Sequence, residues 1–148
     1  MSAQQVLDTV ERLFAAAGHP DIEGVERYGR DPQAVMVVYR SRAKAFLWPV
    51  LEKASTRPAE LPTDLGEYKF RTLHALRMLV DLLEIAQPDG WQWRPVAVDD
   101  ATAASGIEVK AGGQVTLLRV TSGSPMGPDA DPADWADWTY PSQAQLNG

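Results

Sequence analysis

Apolar residues recur at helical spacing near the start of the chain: Val6, Leu7, Val10, Leu13, Phe14 and Ala17. Ser2 and Gln5 have the spacing of a capping box, and Gly18 and Pro20 break the pattern. A helix over roughly residues 3–17 is expected from these start and stop signals. The period then changes. Gly29-Arg30-Asp31-Pro32 is a turn signal, and Ala34–Tyr39 is apolar and β-branched, hence a strand. Ser41-Arg42 can turn the chain into a further strand, Ala43–Trp48; one long continuous strand is the alternative. Pro49 suits a first helical position and predicts a short helix through Glu52–Ala54.

Residues 55–63 read as a loop. Asp64 and Glu67 repeat the capping-box spacing ahead of an apolar helix, roughly 65–86. Its polar residues form one narrow stripe: Glu67, Arg71, His74, Arg77, Asp81 and Glu84. Such a helix is covered on most sides and should sit at the centre of the core. Arg77 and Asp81, four apart, can pair. "WQWRPVAV" (91–98) reads as a strand with Trp91 and Trp93 on one face, because side chains alternate along a strand. "IEVKAGGQVTLLRV" (107–120) reads as a hairpin turning at Ala111-Gly112-Gly113.

Strands grouped between helices and joined by hairpins predict an α+β fold. The expected parts are an N-terminal helix, an antiparallel sheet of about five strands, one long central core helix and an acidic, Trp-containing C-terminal extension. Residues 1–125 read as a single α+β domain and 126–148 as the extension.

Composition narrows the classes. The chain of 148 residues is long enough for a hydrophobic core and has no cysteine, which excludes disulfide, thiolate and zinc–cysteine chemistry. The net charge of −6 is concentrated late: residues 126–148 hold Asp129, Asp131, Asp134 and Asp137 and no Lys or Arg. A nearly neutral body with an acidic tail is a poor profile for binding nucleic acid. No leader pattern opens the chain and no apolar run approaches the ~20 residues that span a bilayer. A soluble, cytoplasmic protein is expected, with no membrane or nucleic-acid partner and no cofactor.

The clearest local feature is "ADPADWADWTYP" (130–141). Asp131 can cap a helical turn, Pro132 suits its first position, and Asp134 stands where a capping-box acid would. Trp135 and Trp138, three apart, would then project from one side, with Tyr140 just beyond. So short an element needs a surface, either this chain's own domain or a partner. Arg40, Arg42 and Lys44 alternate and offer a basic docking site for it, with Tyr39 and Trp48 nearby and Arg27 and Arg30 just before.

One stretch carries possible catalysis. In "VDDATAASGIEVKAGG", Asp99 or Asp100 with Glu108 could hold Mg²⁺ while Lys110 orients water, and Glu108 and Lys110 share a strand face. This arrangement resembles the PD-(D/E)xK nucleases, although Gly112-Gly113 returns the chain into a strand where that family moves into a helix. The plainer alternative is an exposed Glu/Lys pair. His19, in a Gly-His-Pro loop, and His74, on the polar stripe, lack ligands at metal spacing and read as surface histidines. The expected function is a small non-enzymatic protein-interaction or assembly subunit whose Asp/Trp segment docks on itself or a partner, with homo-oligomers possible. A Mg²⁺-dependent nuclease and a structural component of a virus-like particle are the alternatives.

Overall fold

A computed structural model describes residues 1–61, 63, 71–123 and 135–148. Helix α1 (Ala3–Ala17) forms as expected. Ser2 Oγ accepts from the Gln5 N–H at 3.2 Å and the Gln5 side chain accepts from the Ser2 N–H at 2.8 Å. Gly18 ends the helix at φ 62, a left-handed conformation that glycine adopts without a Cβ penalty. Three strands follow: β1 (Ile22–Tyr28), β2 (Ala34–Tyr39) and β3 (Lys44–Pro49). The three-residue β4 (Thr56–Pro58) precedes helix α2 (Arg71–Ala86). Strands β5 (Gln92–Val98), β6 (Gly106–Ala111) and β7 (Gln114–Ser122) come next, then the short α3 (Gln143–Asn147).

All seven strands join one antiparallel sheet in the order β1-β2-β3-β7-β6-β5-β4. The fold is therefore two successive units of one helix and a three-stranded meander, α1-β1-β2-β3 and α2-β5-β6-β7. Their third strands pair at the seam, Leu47 opposite Val120, and β4 adds an edge to the second unit.

The expectation of about five strands is corrected to seven among the described residues. Strand β1 alternates only weakly, and β4 lies in the stretch read as a loop, held by pairing to β5 alone. The short helix expected after Pro49 is absent. Pro49 closes β3 at the end of its ladder, where a missing N–H costs nothing, and the Val50 N–H goes to the Leu117 carbonyl at 2.8 Å. Nor is there one dominant helix: α1 and α2 have 15 and 16 described residues, and the expected start at 64–70 lies outside the described residues.

Alternation along the strands decides the packing. Val35, Val37, Leu47, Ile107, Val109 and Leu118 face the helices and join their buried side chains in one core, which Leu146 of α3 completes. Residues one step away in register face the opposite side, which no described helix covers. Among the described residues, no helix is long and apolar enough to cross a membrane.

Candidate functional site

The two histidines are buried at the end of α1, where the C-terminal tryptophans come to rest. His19, 2% exposed, follows the cap glycine of α1, and His74, 1% exposed, lies on α2. Their ring centroids are 5.4 Å apart, edge to face. Trp135 and Trp138 lie 4.9 and 4.6 Å from His19. The Trp138 N–H closes a turn on the Trp135 carbonyl at 3.0 Å, so the two indoles do project together. The Trp138 indole N–H donates to the Ala17 carbonyl at 3.1 Å, satisfying one of the last carbonyls of α1. Tyr140 packs on Trp138 and its hydroxyl donates to Asp81 at 2.8 Å, while Asp81 also accepts from Arg77 Nε at 3.0 Å.

Below the histidines lies a polar group that a core residue must satisfy to be tolerated. Asp21 pairs with Arg71 at 2.7 Å, both buried, and the Arg71 guanidinium stands 4.3 Å over the Tyr39 ring. The Tyr39 hydroxyl and His74 Nδ1 share a hydrogen bond at 3.1 Å. His19 Nδ1 accepts from the Asp21 N–H at 3.1 Å, which assigns the ring proton to Nε2. Burial pushes the His19 pKa down to about 4, helped by the Arg71 charge. Burial pushes His74 to about 3, with further contributions from His19 and Arg71. Both are therefore neutral at neutral pH. Burial also raises the Tyr39 phenol well above its ordinary range, against the opposing pull of Arg71. Neutral imidazoles and a protonated phenol packed against the two indoles form a buried joint, with His19 also lining a small cavity beside Phe14 and Ile22.

The expectation of surface histidines is thus corrected. The stripe on α2 is polar in sequence, yet its first half, Arg71 and His74, is buried and only its later part meets solvent. The signal available in sequence was the pair of tryptophans in need of a surface. Asp131 and Asp134, expected to cap their turn, lie outside the described residues.

Arg40, Arg42 and Lys44 do not form a row on one strand. They occupy the tight β2–β3 hairpin, where the Arg42 N–H returns to the Tyr39 carbonyl at 2.9 Å and Arg42 adopts φ 73. All three are exposed, and among the described residues none is in an ion pair. Tyr39 points into the core instead of joining them. The described hydrogen bonds and ring contacts of Trp135, Trp138 and Tyr140 with the domain go to the end of α1, to His19 and to His74 and Asp81 of α2, not to this hairpin.

Glu108 and Asp99 of the nuclease arrangement each have an arginine partner of their own. Glu108 accepts from Arg94 Nε at 2.7 Å and Thr56 Oγ1 at 3.3 Å. Asp99 pairs with Arg119 at 2.7 Å and accepts from the Ser55 N–H. Asp100 is exposed in the turn after β5. Lys110 shares the outer face with Glu108, as expected, and lines a cleft there with Gln92 and Arg94. Among the described residues, no three His, Asp or Glu side chains are grouped to hold a metal ion.

The outer sheet face carries a second aromatic group, unnoticed in sequence. Tyr28 and Phe46 have ring centroids 5.0 Å apart, and Phe46 stacks beside Trp48 at 6.0 Å. The Trp48 indole donates to Thr121 at 3.2 Å. No protein-family model matches the chain, and neither a curated protein nor a solved structure matches it.

Proposed function

We propose that this chain is a non-enzymatic protein-binding subunit of an assembly. In this reading its Asp/Trp segment is docked on its own domain and the sheet face that no described helix covers receives a partner. The observation that carries it is the cluster of Tyr28, Phe46 and Trp48, three aromatic side chains on a sheet face that no described helix covers. Tyr28 is 49% exposed and Val115, on the same face, 55%. Tyr, Trp, Phe and Arg are among the residue types enriched where proteins bind one another, and this face presents all four. The buried joint supports the cis part of the reading, because Trp135 and Trp138 already have a receiving surface. The exposed Arg40, Arg42 and Lys44 hairpin borders the face and adds a cationic rim. A cytoplasmic setting belongs to the same reading and rests on the cysteine-free sequence.

The test is capture from native extract by the tagged chain, compared with a Tyr28→Glu/Phe46→Glu variant of unchanged circular dichroism. A protein retained by the first and lost by the second, a further copy of this chain included, supports the proposal. Equal retention by both refutes the open face as the binding surface.

A further inference from the structure

We infer that the free edge of β1 binds an extended basic peptide, which adds a strand to the sheet and seats one apolar side chain in the cavity between β1 and the last turn of α1. This goes beyond the reading above and concerns a different surface, so either can fail alone.

Strand β1 is an edge of the sheet, with β2 on one side and, among the described residues, no strand on the other. The register shows which of its backbone groups are left over. The Tyr39 N–H turns toward β3, to the Ala43 carbonyl, and the Arg40 N–H toward β1, to the Asp21 carbonyl. Backbone groups alternate sides along a strand, so Val38, Met36 and Ala34 bond to β1, and their partners Gly24, Glu26 and Tyr28 bond back. Val25 and Arg27 therefore direct their N–H and C=O groups outward. Such a row is a template for a further strand.

Beside this edge the helix leaves a gap. Gln4, Asp8, Glu11, Ala15 and Gly18 follow one stripe of α1 at helical spacing. The first three bond to Arg27 and close that part of the stripe over β1. Ala15 and Gly18 are too small to continue the cover. A cavity of about 200 Å³ opens there, lined also by Phe14, His19 and residues 22–25. Gly24 has no side chain, so the cavity reaches the strand's backbone. Val25 lies on the helix side of the sheet, because its partner Val37 belongs to the core. A peptide residue paired with Val25 sends its side chain to that same side, toward the cavity. The volume is below the ~300 Å³ at which small-molecule pockets begin and suits a single side chain. His19, 2% exposed in the cavity wall, leaves Nε2 without a hydrogen-bond partner among the described residues, a second mark of an unfilled site.

Charge selects the occupant. Asp8, Glu11, Glu23 and Glu26 border the edge against one guanidinium, that of Arg27, which Asp8 and Glu11 already hold. Arg30 and Arg40 stand beyond the strand's two ends. A peptide residue opposite Glu26 points to the outer face with it, where Lys or Arg makes a favourable cross-strand pair. A second copy of β1 would instead bring the same acids together, and like charges opposed across strands are destabilising.

The probe is the acetylated and amidated peptide Thr-Lys-Thr-Lys-Leu-Lys-Thr-Lys-Thr, titrated into the isotope-labelled full chain at physiological salt while amide shifts are followed by NMR. Saturable shifts centred on residues 22–27 and the last turn of α1 are expected, with a dissociation constant below about 100 μM. The same peptide with N-methyl-leucine cannot donate to the Val25 carbonyl and should bind at least about tenfold more weakly. Gly in place of Leu should cost as much. Ala15→Phe, at an exposed helix position, fills the cavity and should weaken the Leu peptide about tenfold while leaving the Gly peptide unchanged. No saturable shift up to millimolar peptide, or shifts centred elsewhere, overturns the site. Equal binding of the N-methylated peptide reduces the contact to charge attraction and overturns strand addition. A dimer in sedimentation equilibrium without peptide, abolished by Val25→Pro, gives the edge to a second copy and overturns the peptide as its occupant.

Discussion

The buried histidine pair predicts that this protein loses stability between pH 7 and pH 5. Consider a fall from pH 7 to pH 5. Unfolded, both imidazoles have the ordinary pKa of 6.5; folded, His19 is near 4 and His74 near 3. The native state therefore binds fewer protons than the unfolded state across this window. Stability is full above about pH 6.5 and falls as pH drops toward the folded values. At pH 5 each unfolded histidine is ~1.5 units below its pKa while its folded counterpart is still largely neutral, which is about 2 kcal/mol per group and roughly 4 for the pair. Ordinary carboxylates are mostly ionised in both states over this range, so they contribute little. Urea denaturation at pH 7, 6 and 5 gives the free energies, and their slope near pH 5 should approach roughly 3 kcal/mol per pH unit, equivalent to two protons taken up on unfolding. His74→Gln keeps a neutral acceptor for the Tyr39 hydroxyl and should remove about half of the pH-dependent loss, whatever it does to stability at pH 7. An unfolding free energy flat from pH 7 to 5, or a loss undiminished in the variant, would refute the burial argument.

Leu146→Ala should cost about 2–5 kcal/mol in denaturant melts, because α3 contributes this one buried leucine to the core. Gly106→Ala should cost about 1–3 kcal/mol. Its Cβ would stand 2.6 Å from the Leu118 carbonyl oxygen, which belongs to the paired backbone of β7 and cannot swing aside. Tyr140→Phe should cost about 1 kcal/mol at the half-buried bond to Asp81 and leave the mass in solution unchanged. Purified protein should show no Mg²⁺-dependent DNA cleavage; activity abolished by Glu108→Ala would instead revive the nuclease assignment, since Glu108 is engaged with Arg94.

Elements whose own residues carry the instruction were legible in the sequence. The α1 caps, the Ala34–Tyr39 strand and the Gly112-Gly113 turn at φ 59 and 77 depend on neighbours a few positions away. So does the common projection of Trp135 and Trp138. Strand β4 was not legible, since three residues with two charged or proline side chains become a strand only beside β5. His74 was misread for a related reason. Its place among Arg71, Arg77 and Asp81 implies an exposed stripe, and the burial comes from Trp135 and His19, both distant in sequence. Periodicity reports which face of a helix is polar; it does not report whether another polar group and two indoles will cover it. The outer aromatic cluster was hidden likewise, because Tyr28, Phe46 and Trp48 belong to two strands whose register only the sheet defines.

The two helix-plus-meander units place both helices on one side of a continuous sheet, which leaves two surfaces to close: the mouth between the helix ends and the opposite face. The C-terminal segment goes to the mouth, where burial of an Asp–Arg pair and two imidazoles demands cover. A desolvated charge pair open to water on one side would gain neither full hydration nor a low-dielectric attraction. The indoles provide that cover with large apolar area, and the Trp138 N–H meets a helix-end carbonyl at the same time. Among the described residues nothing performs the equivalent service on the other face. Aromatic side chains left on an open sheet cost solubility unless something meets them. The tryptophans that stand out in the sequence are therefore the ones already used within the chain, and the aromatic side chains that no described helix covers are Tyr28, Phe46 and Trp48.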